Sequence, residues 1–274
     1  CVSTAFNADR NPSAAAHAPD LQLVCPDGVH FLVDSARLRS ASSNAFAGTL
    51  AHAARGVSGA PPRVHVPDSA DVLNVLLHIA YGASPEVYKP VLGTLIGAVR
   101  RLAAYGLDPQ AHVVPGSALF EFLRRQVALA PMSVYCLAGA HDLRALAQVA
   151  SAHLLSYPLH RLSDEEAREM GPLYLKRLFL LHQKRICKLK ELLDRPPEFH
   201  AATSECSFAA QKGVARGWSR AIRHVTLDAG PDIVGSTLQH KLSKFKDAIP
   251  CQNCKAAIDA RIWQVLVGWT MTPV

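Results

Sequence analysis

The sequence predicts an α+β fold over residues 20–110, a small sheet built on a hairpin and capped by helices, followed by an all-α C-terminal region. Three observations carry this reading. Two short β-prone apolar runs, residues 21–25 and 30–33, are separated by turn chemistry at Pro26, Asp27 and Gly28. Apolar residues then recur at helical spacing, first Val72, Val75, Leu76 and Ile79, later Leu95, Val99, Leu102 and Ala103. Beyond Leu107 the reading is helical throughout.

Residues 1–19 are expected to be a disordered lead-in, since the stretch from Asn7 to Pro19 is rich in Ala, Asn and Pro. After the hairpin, Asp34 or Ser35 caps a short helix holding Ala36 and Leu38. A second short helix, starting at Ser42 or Ser43, should carry Phe46 and Leu50 toward the core. Residues 51–62 are Ala/Gly/Ser/Pro-rich and predict a loop. Arg63 to Val66 alternate as a short strand, and Pro67, Asp68 and Ser69 open the helix over 70–81. Another helix covers 92–107.

Helical segments follow at 117–127, 132–138, 142–155 and 164–170. Gly171 and Pro172 open the longest one, which runs to about Leu193 with Leu175, Leu178, Ile186, Leu189 and Leu193 on its apolar face. Pro196 and Pro197 end it. The last helices are expected over 208–227, 233–249 and 255–269. The layout is therefore a lead-in (1–19), an α+β domain (20–110), a helical extension (111–195) and a C-terminal helical region (196–274).

Composition narrows the function classes. With 49% hydrophobic and 19% charged residues among 274, the chain can bury a substantial core. No apolar run approaches the roughly 18 residues needed to span a bilayer, so no membrane partner is expected. The first ten residues lack a basic start and an apolar run, so they do not read as a signal peptide. Seven scattered cysteines, an odd number, suit a reducing compartment and predict an intracellular protein, cytoplasmic or nuclear. The net charge of +7 is modest. Its densest cluster, Lys176, Arg177, Lys184, Arg185, Lys188 and Lys190, lies along one helix without aromatic interleaving. A solvated basic face is the expectation there, rather than a nucleic-acid reader.

The N-terminal residues also carry a family resemblance. Asp20 opens a hydrophobic strand of Leu21, Gln22, Leu23 and Val24; Asp27-Gly28 turn the chain, and Phe31, Leu32, Val33, Asp34 and Ser35 follow. Leu38 then precedes Ser42, Ser43, Asn44, Ala45 and Phe46. Val64, His65, Val66 and Pro67 lead into the helix ending at Gly82, and a second helix ends Ala104-Tyr105-Gly106-Leu107. The order hairpin, two short helices, strand, helix, helix resembles the BTB/POZ domain over about the first 110 residues. Val134-Tyr135, the segment from Ala138 to Leu143 and the closing Cys…Cys-x-x-Cys pattern resemble BTB proteins of basidiomycete fungi.

The resemblance implies a protein-interaction module or scaffold, self-associating as a homodimer or binding other proteins. A transcription-linked or ubiquitin-ligase adaptor is the alternative it implies. Two departures bear on the mode. The family's His-Lys pair, which in many members sits at the charged centre of the dimer interface, is Asp34-Ser35 here. Between Leu50 and Val64 there is no acidic residue, so the cullin-recruiting apolar-x-Glu motif is missing and cullin binding loses support.

No catalytic or cofactor-binding residues are expected. The sequence has no Gly-x-Ser-x-Gly elbow, Walker loop, dinucleotide fingerprint or His-Glu-x-x-His. Asp164, Glu165 and Glu166 read as helix-capping charges, because adjacent helix residues do not face one another. Thirteen histidines are dispersed. The constellation that stands out is Cys251 and Cys254, two thiols that can reach one tetrahedral zinc. Cys206 is the natural third ligand of a structural Zn²⁺ and His200 the fourth, with His224 and His240 as rivals. Free thiols packed as small hydrophobes, or a redox pair, are the competing readings. Trp218, Trp263 and Trp269 are expected in the core of the same region.

Overall fold

The computed structural model describes residues 1–7, 18–50 and 61–273. It is α+β: a three-stranded sheet and a series of helices that includes the whole C-terminal part. Strands β1 (Leu21–Val24) and β2 (His30–Val33) form the hairpin, and β3 (Arg63–His65) joins in the order β2-β1-β3. Gly28 takes φ +75° in the turn, and its N–H donates to the Cys25 carbonyl at 3.0 Å. Leu21 faces Val33 and Leu23 faces Phe31 in the antiparallel register. With a two-residue side-chain period, these four fall on one face, and all are buried. β3 runs parallel to β1, which requires a crossover rather than a tight turn.

That crossover begins with α1 (Ser35–Ala41). The Asp34 carboxylate caps it, accepting from the N–H groups of Ala36 and Arg37. Asp20 accepts from both the N–H and the hydroxyl of Ser35, at 2.7 and 2.6 Å. The Asp34-Ser35 pair is thus occupied in fixing the strand-to-helix corner.

The second short helix expected after Ser42 is instead a left-handed turn. Ala45, Phe46 and Ala47 have φ of 53°, 51° and 56°, followed by Gly48 at 75°. The Ser42 hydroxyl donates to the Tyr105 carbonyl and accepts from the Phe46 N–H, both at 2.8 Å. Phe46 still reaches the core and packs on Tyr105 at 4.6 Å between ring centres. Burial of that ring offsets the cost of the left-handed backbone, about 1–2 kcal/mol per residue. Of the loop expected over 51–62, residues 51–60 lie outside the described residues.

Gly106 closes this turn from the other side. It takes φ +69°, and a Cβ there would stand 2.7 Å from the Asn44 backbone nitrogen. Gly106→Ala is expected to destabilise the N-terminal unit by about 2–3 kcal/mol, from left-handed strain plus displacement of the turn. A urea melt checks this; an unchanged midpoint would show that the turn simply moves aside.

Residues 1–7, expected within the lead-in, are packed. Val2 bridges to His30 along the outer edge of β2, and the Leu32 N–H donates to the Phe6 carbonyl. Phe6 is 0% exposed, edge-on to His78 and Tyr81 at 5.0 and 5.2 Å. One large apolar side chain and a free strand edge order this segment despite its composition. The rest of the lead-in, residues 8–17, lies outside the described residues.

α2 (Ala70–Ala80) and α3 (Leu92–Leu102) pack against each other, burying Leu73, Leu76, Leu95 and Val99. A one-turn helix, α4 (Pro109–His112), follows, then α5 (Ala118–Gln126), α6 (Pro131–Ala140) and α7 (Arg144–Ala152). α5 and α6 both pack on α3, so the helical extension is continuous with the α+β part. α8 (Asp164–Asp194) is broken at Gly171, φ 73° and ψ 164°, just before Pro172. Its start is a reciprocal cap, in which the Ser163 N–H donates to Glu166 and the Glu166 N–H to the Ser163 hydroxyl.

The chain divides into two compact units, Cys1–His153 with Ser163–Gly171, and Leu154–Leu162 with Pro172–Val274. The last stretch of the first unit ends at the Gly171 break in α8. In the second unit the later part of α8 packs with α9 (Phe208–Asp228), α10 (Gly235–Ser243) and α11 (Gln252–Thr270). Trp218, Leu193, Leu238, Leu242 and Ile258 are at the centre of its core. Among the described residues no helix is long and apolar enough to cross a membrane.

Candidate metal centre

The two cysteines of the Cys-x-x-Cys motif begin α11. Cys251 is its N-cap residue and Cys254 lies in its first turn, so both thiols project at the helix N-terminus. Cys206 comes from a tight turn, in which the backbones of Thr203 and Cys206 exchange hydrogen bonds of 3.1 and 3.2 Å. Ser207, next in sequence, caps α9 by accepting from the Ala210 N–H. The turn and the cap together fix where Cys206 points. His200 arrives from the extended stretch after Pro197.

All four expected donors meet. The ligand atoms of His200, Cys206, Cys251 and Cys254 lie within 4.8 Å of one another. Cys206 Sγ and Cys254 Sγ are 3.7 Å apart. His200 Nε2 is 3.3 Å from Cys254 Sγ and 3.4 Å from Cys251 Sγ. Zinc–sulfur bonds of about 2.3 Å at tetrahedral angles place sulfurs about 3.8 Å apart, and sulfur and imidazole nitrogen about 3.5 Å apart. These three separations match a tetrahedral site, and the whole set is compact enough for a Cys₃His group to close on one ion. His224 and His240 are exposed on α9 and α10 and stand outside it.

The surroundings orient these donors. His200 Nδ1 is 2.7 Å from the Ala201 carbonyl, which can only accept, so Nδ1 carries the proton and Nε2 presents its lone pair to the thiols. Gln211, buried on α9, donates from Nε2 to the His200 carbonyl at 3.1 Å and holds the loop. Gln211 carries no sequence signal of this role, because nothing local marks a glutamine eleven residues from its partner.

Electrostatics differ across the thiols. The Cys254 backbone N–H, aided by neighbouring thiols and the Asn253 N–H, holds Cys251 down to about 7 against its burial. Burial, with donation toward the other sulfurs, pushes Cys254 up to about 12. Burial also raises Cys206. Cys251 is thus the thiol most readily ionised, and binding a cation at the cluster would displace the protons of the others. Four protein donors would fill a tetrahedral ion's coordination and leave no position for a substrate, which suits a structural rather than a catalytic role. The redox reading lacks its strand: the segment before Cys251 is a 3₁₀ turn, Lys246–Ala248.

Other expected features sort as follows. Trp218 and Trp269 are buried, but Trp263 is 66% exposed on the outer face of α11. Within the basic run of α8, Arg185 is buried. It donates to the carbonyls of Pro231, Thr272 and Pro273 and lies 4.4 Å from the Trp269 ring centre. Its charge pins the C-terminus and does not belong to a nucleic-acid face.

No family model, curated protein or solved structure matches this chain.

Proposed function

We propose that the chain is a protein-interaction scaffold whose N-terminal unit is a BTB/POZ-like domain and whose C-terminal helical unit is stapled by zinc. The observation that carries the zinc reading is the convergence of His200, Cys206, Cys251 and Cys254, their ligand atoms within 4.8 Å of one another, from three separate stretches of chain. The ion ties the loop after α8 to the start of α11. It fixes a shape and performs no chemistry on a substrate.

The interaction reading rests on the order of elements in the first unit: hairpin, helix, turn, strand, then two packed helices. That follows the order of the domain which residues 20–110 resemble, except that the left-handed turn at Ala45–Ala47 stands where the second short helix was expected. Because Asp34 and Ser35 are taken up by capping contacts, self-association here uses a surface other than the family's charged centre.

Light scattering of the purified chain across micromolar concentrations is expected to give a dimer mass. A strict monomer would remove self-association and leave only binding of other proteins. Elemental analysis is expected to find one zinc per chain, lost in Cys251→Ser. Metal well below one per chain after purification without chelator would sink the zinc reading.

A further inference from the structure

A second concave site lies in the C-terminal unit, between α9 and the end of α10. Its volume is about 440 Å³, within the range of small-molecule pockets, roughly 300–1,000 Å³. Gly217, Arg220, Ala221 and His224 line it from one face of α9, at the three- and four-residue spacing that stacks side chains on a helix. Lys241, Lys244 and Phe245 line it from the other side.

The inner wall is apolar and depends on a glycine. A Cβ on Gly217 would stand 2.6 Å from the Phe245 ring, so the missing side chain lets that ring lie against α9. Ala221, buried beside it, continues the wall. The rim is cationic. Lys241 donates to Asp228 at 2.9 Å, which fixes its ammonium group at the edge of the pocket. Among the described residues neither Arg220 nor Lys244 has a carboxylate within ion-pair distance. Arg220, Lys241 and Lys244 against Asp228 leave two uncompensated positive charges. Arg216 and Arg223 border an adjoining groove on α9, extend the positive field, and are likewise without ion pairs among the described residues.

We infer that this pocket binds an organic phosphomonoester, its dianionic head held by Arg220 and Lys244 and its apolar body laid against Phe245 and Ala221. Two positive charges match the dianion. A guanidinium presents paired donors to phosphate oxygens, while the ammonium groups act as point charges. The apolar wall distinguishes such a ligand from inorganic phosphate, which would leave the Phe245 ring uncovered. Most ligand sites have this construction, an apolar cavity with a few convergent polar groups.

Calorimetric titration of the full, metal-loaded chain tests this with phenyl phosphate, inorganic phosphate and phenol as probes. Phenyl phosphate is expected to bind at one per chain and more tightly than either fragment. Arg220→Gln and Lys244→Gln should each weaken it about tenfold or more, the effect of losing one charge-assisted hydrogen bond. Both side chains are exposed, so folding is preserved, and circular dichroism with zinc content verifies that. Phe245→Leu should narrow the gap between phenyl phosphate and inorganic phosphate. Equal binding of phenyl phosphate and inorganic phosphate, or binding indifferent to both charge substitutions, would overturn the proposal. So would binding confined to a random DNA duplex that fades with salt, which would make α9 a nucleic-acid face instead.

Discussion

Stripping zinc, or replacing Cys254 by Ser, is expected to lower the unfolding midpoint of the C-terminal unit by roughly 10–20 °C. A site holding its ion at a thousand times the dissociation constant contributes about 4 kcal/mol to the folded state. Each kcal/mol moves the midpoint of a domain of this size by several degrees. The ion would add to a small set of contacts that hold residues 195–207: Gln211 on the His200 carbonyl, Arg261 on the Arg195 carbonyl and Phe199 against Phe208. That stretch has no regular secondary structure beyond the Thr203–Cys206 bridge, and its Cys206 and His200 make their main contacts with Cys251 and Cys254. The unit should not unfold outright at room temperature, since Cys206 and Cys254 are only two members of a core otherwise made of Leu193, Trp218, Val225, Leu238, Leu242, Ile258 and their neighbours. Cys187→Ser, at an exposed position on α8, is the control and should leave the melt unchanged. Trp fluorescence and circular dichroism read the transition. A midpoint that stays put after verified metal removal would show that the loop is held by its packing alone.

Trp218→Ala is expected to cost about 4–5 kcal/mol, the upper part of the range for deleting a buried aromatic side chain. Trp218 is 1% exposed at the centre of the C-terminal core. Its indole N–H also donates to the Leu193 carbonyl at 3.1 Å, near the end of α8, where helix carbonyls lack intrahelical partners. The alanine variant therefore opens a cavity and orphans an acceptor. Trp218→Phe separates the two effects: it keeps most of the ring and loses the bond, for about 1–3 kcal/mol. Trp263→Ala should cost less than about 0.5 kcal/mol, because that side chain is exposed. Chemical denaturation of the three variants checks the order, and a Trp263 effect comparable with that of Trp218 would contradict the assigned core.

Local chemistry explains which parts of the fold are legible in the sequence. The hairpin was legible because Gly28 sits between two apolar β-prone runs. The long helix from Pro172 was legible because a Gly-Pro step precedes a sustained apolar period. The left-handed turn at residues 45–47 was not, since its stabilising contacts come from Tyr105 and Gly106, about sixty residues away. The order in residues 1–7 was hidden for the same reason, as Phe6 finds its partners on β2 and α2.

The metal site divides along the same line. By spacing alone, Cys251 and Cys254 can both reach one ion, and their chemistry nominates a soft cation; that Cys254 lies in the first turn of α11 came from the structure, since the helix was expected to begin only at 255. Cys206 and His200 were nominated too, with His224 and His240 as rivals in the same region. Tertiary structure decided among them. Helix packing turns His224 and His240 outward on α9 and α10, while the Ala201 carbonyl and Gln211 aim His200 Nε2 at the thiols. Sequence thus determined which atoms could serve as ligands, because ligand chemistry is a property of the side chain. Only the fold determined which of them meet, because meeting requires loop closures whose entropy is offset by the packing of α8, α9 and α11 around Trp218.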